Sequence, residues 1–324
     1  MLTPLKFRTQ YFDKIWGGQK INTVLGKNFG KIANCGESWE VSGIAGKASE
    51  VAAGLPLEGN TLEELTEVYM GDLVGDKVFD AFGNDFPLLV KFIDAQDDLS
   101  VQVHPDDALA ERRYGTNGKT EMWYVVQADA GAGLYVGFKK GVTKENYLSA
   151  VAAGTVDQLL NFYPVAAGDV FFIPAGTVHA IGKGVLLAEI QQSSDCTYRI
   201  FDWNRVDANG NPRELHTADA EEAIHFGEEK EYHTFYTPLK EKSSPVIRCD
   251  KFNVNLLHFE KPLEKIYAGI DSFIIYICLE GRVAFIYEEE DYLLNQGEVM
   301  LMPAIATEAQ LLPLTESKLL EVYL

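Results

Sequence analysis

The sequence predicts a mainly β protein built from two small barrels with a few helices added. Two observations lead there. Short runs rich in Val, Ile, Phe and Tyr follow one another through the middle of the chain, broken by Gly, Pro and Asn, which is the pattern of a sandwich or barrel. They cover residues 87–93, 99–104, 121–127, 133–138, 170–173, 185–191 and 198–201. The C-terminal third then echoes the middle: residues 121–127 and 168–176 have counterparts in 273–281 and 297–304. The second pair reads Gly, acid, four apolar residues, Pro and Ala in both copies. A chain of 324 residues has room for one large or two ordinary domains. The polar stretch 236–244, with Pro238, Lys240, Glu241 and Lys242, reads as a linker. We therefore expect a first unit over residues 1–240, with helical insertions, and a degenerate second β unit over 241–324.

Three helices are expected. In residues 61–82, Thr61 and Glu64 have capping-box spacing and Leu62, Leu65, Val68 and Tyr69 form an apolar stripe. Residues 143–153 place Tyr147, Leu148 and Val151 on one face, with Gly154 as the stop. The third covers 217–224.

Composition narrows the function. With 47% apolar and 23% charged residues the chain reads as globular and not disordered. Its net charge of −20 argues against a broad nucleic-acid or anionic-membrane surface, so an anionic ligand needs a local positive site. The longest apolar runs, such as 273–279, are far short of the roughly 20 residues of a membrane span. The first residues carry no signal-peptide pattern, and Cys35, Cys196, Cys249 and Cys278 form no C-x-x-C, which fits four free thiols in the cytoplasm.

The sharpest chemical signal is Gly168-x5-Pro174-x-Gly176-x2-His179. Gly168 allows a tight turn before a strand, and Pro174 and Gly176 end that strand so that His179 is presented at a fixed bend. Upstream, Gln102 and His104 occupy positions i and i+2 of a strand and so project from one face, while Val101 and Val103 pack the other way. Glu121 places a carboxylate at the head of an apolar strand, where an unpaired charge is costly. Two imidazoles, a carboxylate and an amide oxygen make a mixed N/O donor set that suits zinc with room for water or substrate. In the second unit, Ile305, Ala306, Thr307 and Glu308 stand where the first has Gly176, Thr177, Val178 and His179, so one metal per chain is expected. His216, His225, His233 and His258 show no metal spacing, and the acidic run 288–291 reads as a solvated hairpin turn.

The Gly168–His179 pattern resembles the second motif of the cupin barrels, and Gln102 with His104 resembles the first, with glutamine in place of one histidine. Residues 101–106, 119–121, 173–180 and the group Ser194, Asp195 and Arg199, together with 15–18 and 36–40, resemble the type I mannose-6-phosphate isomerases in family order. The length is that of the short bacterial form. The resemblance implies two cupin-type (jelly-roll) barrels and interconversion of mannose 6-phosphate and fructose 6-phosphate. It also implies zinc on Gln102, His104, Glu121 and His179, with Lys119, Asp195 and Arg199 lining the substrate cavity. Two departures stand out: Thr120 replaces the proline common in long members, and the segment after Arg199 differs from theirs.

Aldose–ketose isomerisation moves a proton between C2 and C1 through an enediolate, whose charge the site must stabilise. One anionic ligand leaves the metal a formal +1, which suits Lewis-acid work. Lys119 lies two residues from Glu121 on the same face, where a neighbouring cation favours a neutral amine able to act as base. Arg199, always charged, can hold the enediolate oxygens. Asp195 is a candidate for ring opening, and Ser100, Lys91 and Arg205 for the 6-phosphate. Lys91 interrupts an apolar strand, where an inward lysine needs an anion. Two other readings are a metal-dependent cupin oxygenase, disfavoured by Gln102, and a non-catalytic sugar-binding cupin, disfavoured by the intact Lys119 and Arg199.

Overall fold

The computed structural model describes residues 2–206, 209–227 and 230–324. Its strands form four sheets in which every paired strand is antiparallel. A six-stranded sheet runs in the order Gln10–Gly18, Cys35–Ser42, Leu88–Ala95, Val185–Gln192, Glu121–Ala128 and Val170–Ile173. It faces a five-stranded sheet ordered Tyr198–Phe201, Val101–Val103, His179–Ile181, Gly133–Phe138 and Leu160–Pro164. The C-terminal part repeats this pairing on a smaller scale. There a five-stranded sheet contains Ser243–Arg248, Asn253–Phe259, Ser317–Tyr323, Ile274–Glu280 and Val299–Met302, and a four-stranded sheet lies against it.

Residue alternation explains how the two halves fit. Along Leu88–Ala95, Leu88, Val90 and Phe92 face the C-terminal half, whereas Ile93 and Ala95 face the interior of the first barrel. Met122 and Tyr124 likewise point to the shared core, and Trp123 and Val125 point inward. From the other side, Ile275, Ile277 and Leu279 enter the same shared core, while Ile274, Tyr276 and Cys278 fill the second barrel. The strands of the two central sheets are thus buried on both faces. This is why residues 87–93 and 273–279 read as continuous apolar runs and not as clean alternation. The N-terminus crosses over as well: Leu5 and Leu301 exchange backbone hydrogen bonds of 2.8 Å.

The expected single helix over 61–82 is instead three short ones, Leu62–Tyr69, Gly71–Val74 and Asp76–Phe82. The backbone breaks at Met70 (φ 46°) and at Gly75 (φ 97°). The Thr61–Glu64 capping box is present, with Thr61 N donating to Glu64 Oε2 at 2.8 Å and Glu64 N to Thr61 Oγ1 at 3.2 Å. The expected second helix is Lys144–Ala153, capped by Thr143 and ended by the left-handed Gly154; the third is Thr217–Ala223. Two outer strands, Gln10–Gly18 and Cys35–Ser42, and the helix Asp107–Tyr114 lie outside the elements read from the sequence. The acidic run turns on Glu288 and Glu289, both at positive φ, joining Arg282–Tyr287 to Glu290–Asn295. Among the described residues no helix is long and apolar enough to cross a membrane.

Gly75 marks the seam between the halves: a Cβ there would lie 2.5 Å from the Asp271 carbonyl oxygen and 2.7 Å from Ser272 N. Gly75→Ala should therefore lower the urea midpoint by more than Gly54→Ala, which also sits at positive φ but in open space. The strain alone is of order 1–3 kcal/mol, and the clash adds to it. Equal shifts for the two variants would mean that the seam yields.

Candidate metal centre and active-site pocket

Gln102 and His179 are register partners on adjacent strands of the five-stranded sheet, so their side chains emerge side by side. Val101 and Val103 point the other way into a separate apolar cluster, as alternation requires. Gly176 N donates to the His104 carbonyl at 2.9 Å and ties the two motifs together. Gly176 has φ 83°, and a Cβ on it would come within 2.6 Å of the His225 ring, so only glycine fits this bend. Glu121 opens its strand on the facing sheet, paired with Ile173 and Gln191, and is 0% exposed.

These elements bring His104, Glu121 and His179 together with donor atoms all within 4.8 Å of one another. His179 Nε2 is 3.3 Å from Glu121 Oε1, His104 Nε2 is 3.5 Å from Glu121 Oε2, and the Gln102 amide nitrogen is 3.3 Å from His179 Nε2. Ligands about 2.0–2.2 Å from a tetrahedral zinc ion stand about 3.3–3.6 Å from one another, so the spacing fits such an ion. The Gln102 amide would present its oxygen after a half-turn. Both ring Nδ1 atoms sit 2.9 Å from backbone carbonyls, of Cys196 for His104 and of Thr177 for His179. A carbonyl only accepts, so each Nδ1 carries the proton and each Nε2 lone pair faces the centre.

The electrostatics agree with a cation site. Burial, then Lys119, hold His104 well below the usual histidine range, and burial brings His179 down to about 4, so both imidazoles are neutral at pH 7. Burial pushes Glu121 up to about 7 against the pull of Lys119. Neither Glu121 oxygen accepts a hydrogen bond, and such a buried acceptor is costly unless a cation balances it. Lys119 Nζ supplies one, 3.2 Å from Glu121 Oε2 and 3.0 Å from His104 Nε2.

A cavity of about 290 Å³ opens beside this cluster. Lys91, Ser100, Gln102, Lys119, Asp195 and Arg199, all read from the sequence, line it. Arg205 does not: its guanidinium donates to the Asp98 carbonyl at 2.5 Å and pairs with Asp202 at 2.5 Å. Lys91 finds its anion inside the protein, Glu189 at 3.2 Å, and Glu189 also accepts from Trp123 Nε1 at 2.9 Å. Burial opposes the Lys91 ammonium, but Glu189 and Glu37 hold it above the ordinary lysine range. Asp195 is half exposed and pairs with Lys47 at 3.2 Å. Arg199 Nη1 donates to the Glu214 carbonyl at 2.8 Å, and Asp202 belongs instead to Arg205 and Arg213. Lys14, Lys47 and Arg213 also line the cavity and were missed. None sits in a recognisable motif, and only the folding of the outer strands and of the segment after Arg199 brings them to the rim.

A buried histidine–carboxylate cluster that could hold a metal ion, inside a jelly-roll of antiparallel sheets, defines a cupin-type protein. The comparisons with known proteins give the family. Residues 5–129 match the family model described as phosphomannose isomerase type I, catalytic domain. The chain is 36% identical over 317 residues to the mannose-6-phosphate isomerase ManA of Bacillus subtilis, covering 93% of each protein. It is 34% identical over 307 residues to the mannose-6-phosphate isomerase of Streptococcus mutans, covering 94% of this chain and 93% of that protein. The crystal structure of the mannose 6-phosphate isomerase from Bacillus subtilis superposes with a TM-score of 0.89 at 30% identity, over 100% of both chains. This chain belongs to the type I phosphomannose isomerase family.

Two substitutions separate ligand from neighbour. His179→Ala should abolish tight zinc binding in a calorimetric titration. Trp123→Phe, which loses the indole hydrogen bond to Glu189 and alters the edge contact at 5.3 Å from the His179 ring but removes no donor atom of the cluster, should retain it. Undiminished zinc affinity in His179→Ala would remove the histidine from the ligand set.

Proposed function

We propose that this protein is a zinc-dependent aldose–ketose isomerase that interconverts mannose 6-phosphate and fructose 6-phosphate through an enediolate. The observation that carries this reading is the position of Lys119: its Nζ touches both His104 and Glu121 while its side chain lines the cavity. One group therefore adjoins both the candidate metal and the space for substrate.

Gln102, His104, Glu121 and His179 are the residues that would hold the ion, one per chain. Zinc bound there supplies Lewis-acid polarisation of the sugar oxygens without redox chemistry. Lys119, whose Nζ adjoins the cluster, is the group that takes the proton from C2 of the aldose and delivers it to C1, while the O2 hydroxyl proton passes to O1. Arg199 offers a fixed guanidinium to the oxygens that become negative as that proton leaves. Asp195, at the rim, is the candidate for the hydroxyl proton transfer of ring opening. Ser100 and Lys91 face the same space as candidates for the 6-phosphate. Residues 1–240 form the catalytic unit in this reading, and 241–324 a supporting barrel that covers the six-stranded sheet. The four free cysteines fit a reducing cytoplasm.

The protein loaded with one equivalent of zinc should convert mannose 6-phosphate to fructose 6-phosphate in a coupled assay, lose that activity to a strong chelator and regain it with zinc. A requirement for redox-active iron would overturn the reading. Arg199→Ala should keep zinc and fold but lose about 10²- to 10³-fold in kcat, as expected for a contact that matters when charge develops. A pure rise in KM would reassign Arg199 to ground-state binding.

A further inference from the structure

Among the described residues, three arginines gather at one side of the cavity around a single carboxylate. Asp202 is 5% exposed and is clamped by Arg213, with Nε 2.7 Å from Oδ2 and Nη2 2.5 Å from Oδ1. Arg205 shares the same Oδ1 at 2.5 Å. Arg199 adjoins the cluster with no carboxylate of its own among the described residues: Nη1 donates to the Glu214 carbonyl, and its buried Nε has no hydrogen-bond partner there. Counted over the described residues, these three guanidiniums and one carboxylate leave a surplus of two positive charges, in a chain whose net charge is −20.

The surplus is not spread evenly. Arg205 turns its remaining nitrogen to the Asp98 carbonyl and is absent from the cavity wall, while Arg199 and Arg213 both line it. Asp202 uses two of the three guanidinium nitrogens of Arg213, which leaves Nη1 as its remaining donor group. The segment carrying Arg213 is fastened to the strand of Arg199, because His216 N donates to the Arg199 carbonyl at 2.7 Å and Arg199 N donates to His216 Nδ1 at 3.2 Å. The two cations are thus held close with no anion hydrogen-bonded to both among the described residues; burial first and then the Arg213 charge oppose the charge on Arg199, and Asp202 and Glu214 offset them only in part. A dianion between them relieves both costs.

We propose that Arg213, oriented by Asp202, is the arginine that selects for the phosphate group of the substrate, in the role the sequence reading gave to Arg205. This rests on the sugar-phosphate reading above and names the contact that makes the phosphate matter. Arg213 is a specificity residue here, and Asp202 positions it. The phosphate keeps nearly the same charge through the reaction, so Arg213 contributes to binding and little to the chemical step.

The test is calorimetry on the zinc-loaded protein with two probes, glucitol 6-phosphate and glucitol, beside steady-state kinetics. Arg213→Ala should weaken glucitol 6-phosphate by about ten- to a hundredfold, the loss expected for a charged hydrogen bond, and raise KM for mannose 6-phosphate to match. Its kcat should stay within about threefold, and its affinity for glucitol should be unchanged. Arg213→Lys should lose less, because a point charge remains, and Arg205→Ala should change phosphate affinity little. Unchanged glucitol 6-phosphate affinity in Arg213→Ala would overturn the proposal. So would a larger phosphate-specific loss in Arg205→Ala, or equal losses for both probes, which mark a merely structural clamp. If Arg213→Ala does not fold, Arg213→Gln against Arg213→Lys decides by the same comparison. Failure of the isomerase reading shows separately, as a wild-type protein that binds glucitol 6-phosphate through Arg213 without turning over mannose 6-phosphate.

Discussion

A fully buried carboxylate that accepts no hydrogen bond governs the centre of this molecule. Glu121 is flanked by two imidazoles that their backbone carbonyl partners hold in the tautomer with the free nitrogen facing it. Neutral rings cannot balance its charge, and burial pushes the carboxyl up to about 7, so its ionised form is held by a cation. Lys119 does so in part, and a divalent ion on the same three side chains would do so more fully. The fixed bend at Gly176, the pairing of Gln102 with His179 and the ring contact of Trp123 all serve to keep these groups converged.

The same logic extends outward through the barrel interior. Lys91 and Glu189 form a second buried pair, with Glu37 nearby, and Trp39 lies under the lysine at 5.1 Å. Each such pair is destabilising to break, because the surviving charge is left in low dielectric. The interior therefore holds buried charges balanced in pairs inside the apolar shell. That shell depends on the six-stranded sheet having its outer face covered, and the C-terminal barrel supplies the cover. Covering that sheet gives the second barrel a physical purpose independent of any ligand.

Where sequence reading went astray, the reasons are physical. The stripe over 61–82 is continuous enough to suggest one helix, but Gly75 must take positive φ where the chain meets Asp271, and the helix divides. Arg205 and Arg213 are equivalent as letters. Which one faces the cavity depends on how Asp202 and the Asp98 carbonyl share their donors, and no spacing rule encodes that. Lys14 lies in the outer strand Gln10–Gly18 and Lys47 in the loop after Cys35–Ser42, where the pattern is too mixed to place them, and they reach the rim only because those outer strands extend the central sheet.

By itself the sequence determined the β character and the echo between the halves, and it singled out the residues that converge at the candidate metal centre. These are consequences of local rules: period-two alternation, glycine and proline at turns, and polar groups at i and i+2 on one strand. Tertiary structure alone decided which charges pair. Lys91 takes Glu189, 98 positions away, and Asp202 takes both Arg205 and Arg213. Coulomb energies and burial depend on distance in space, and strand order, which sequence separation does not reveal, sets that distance.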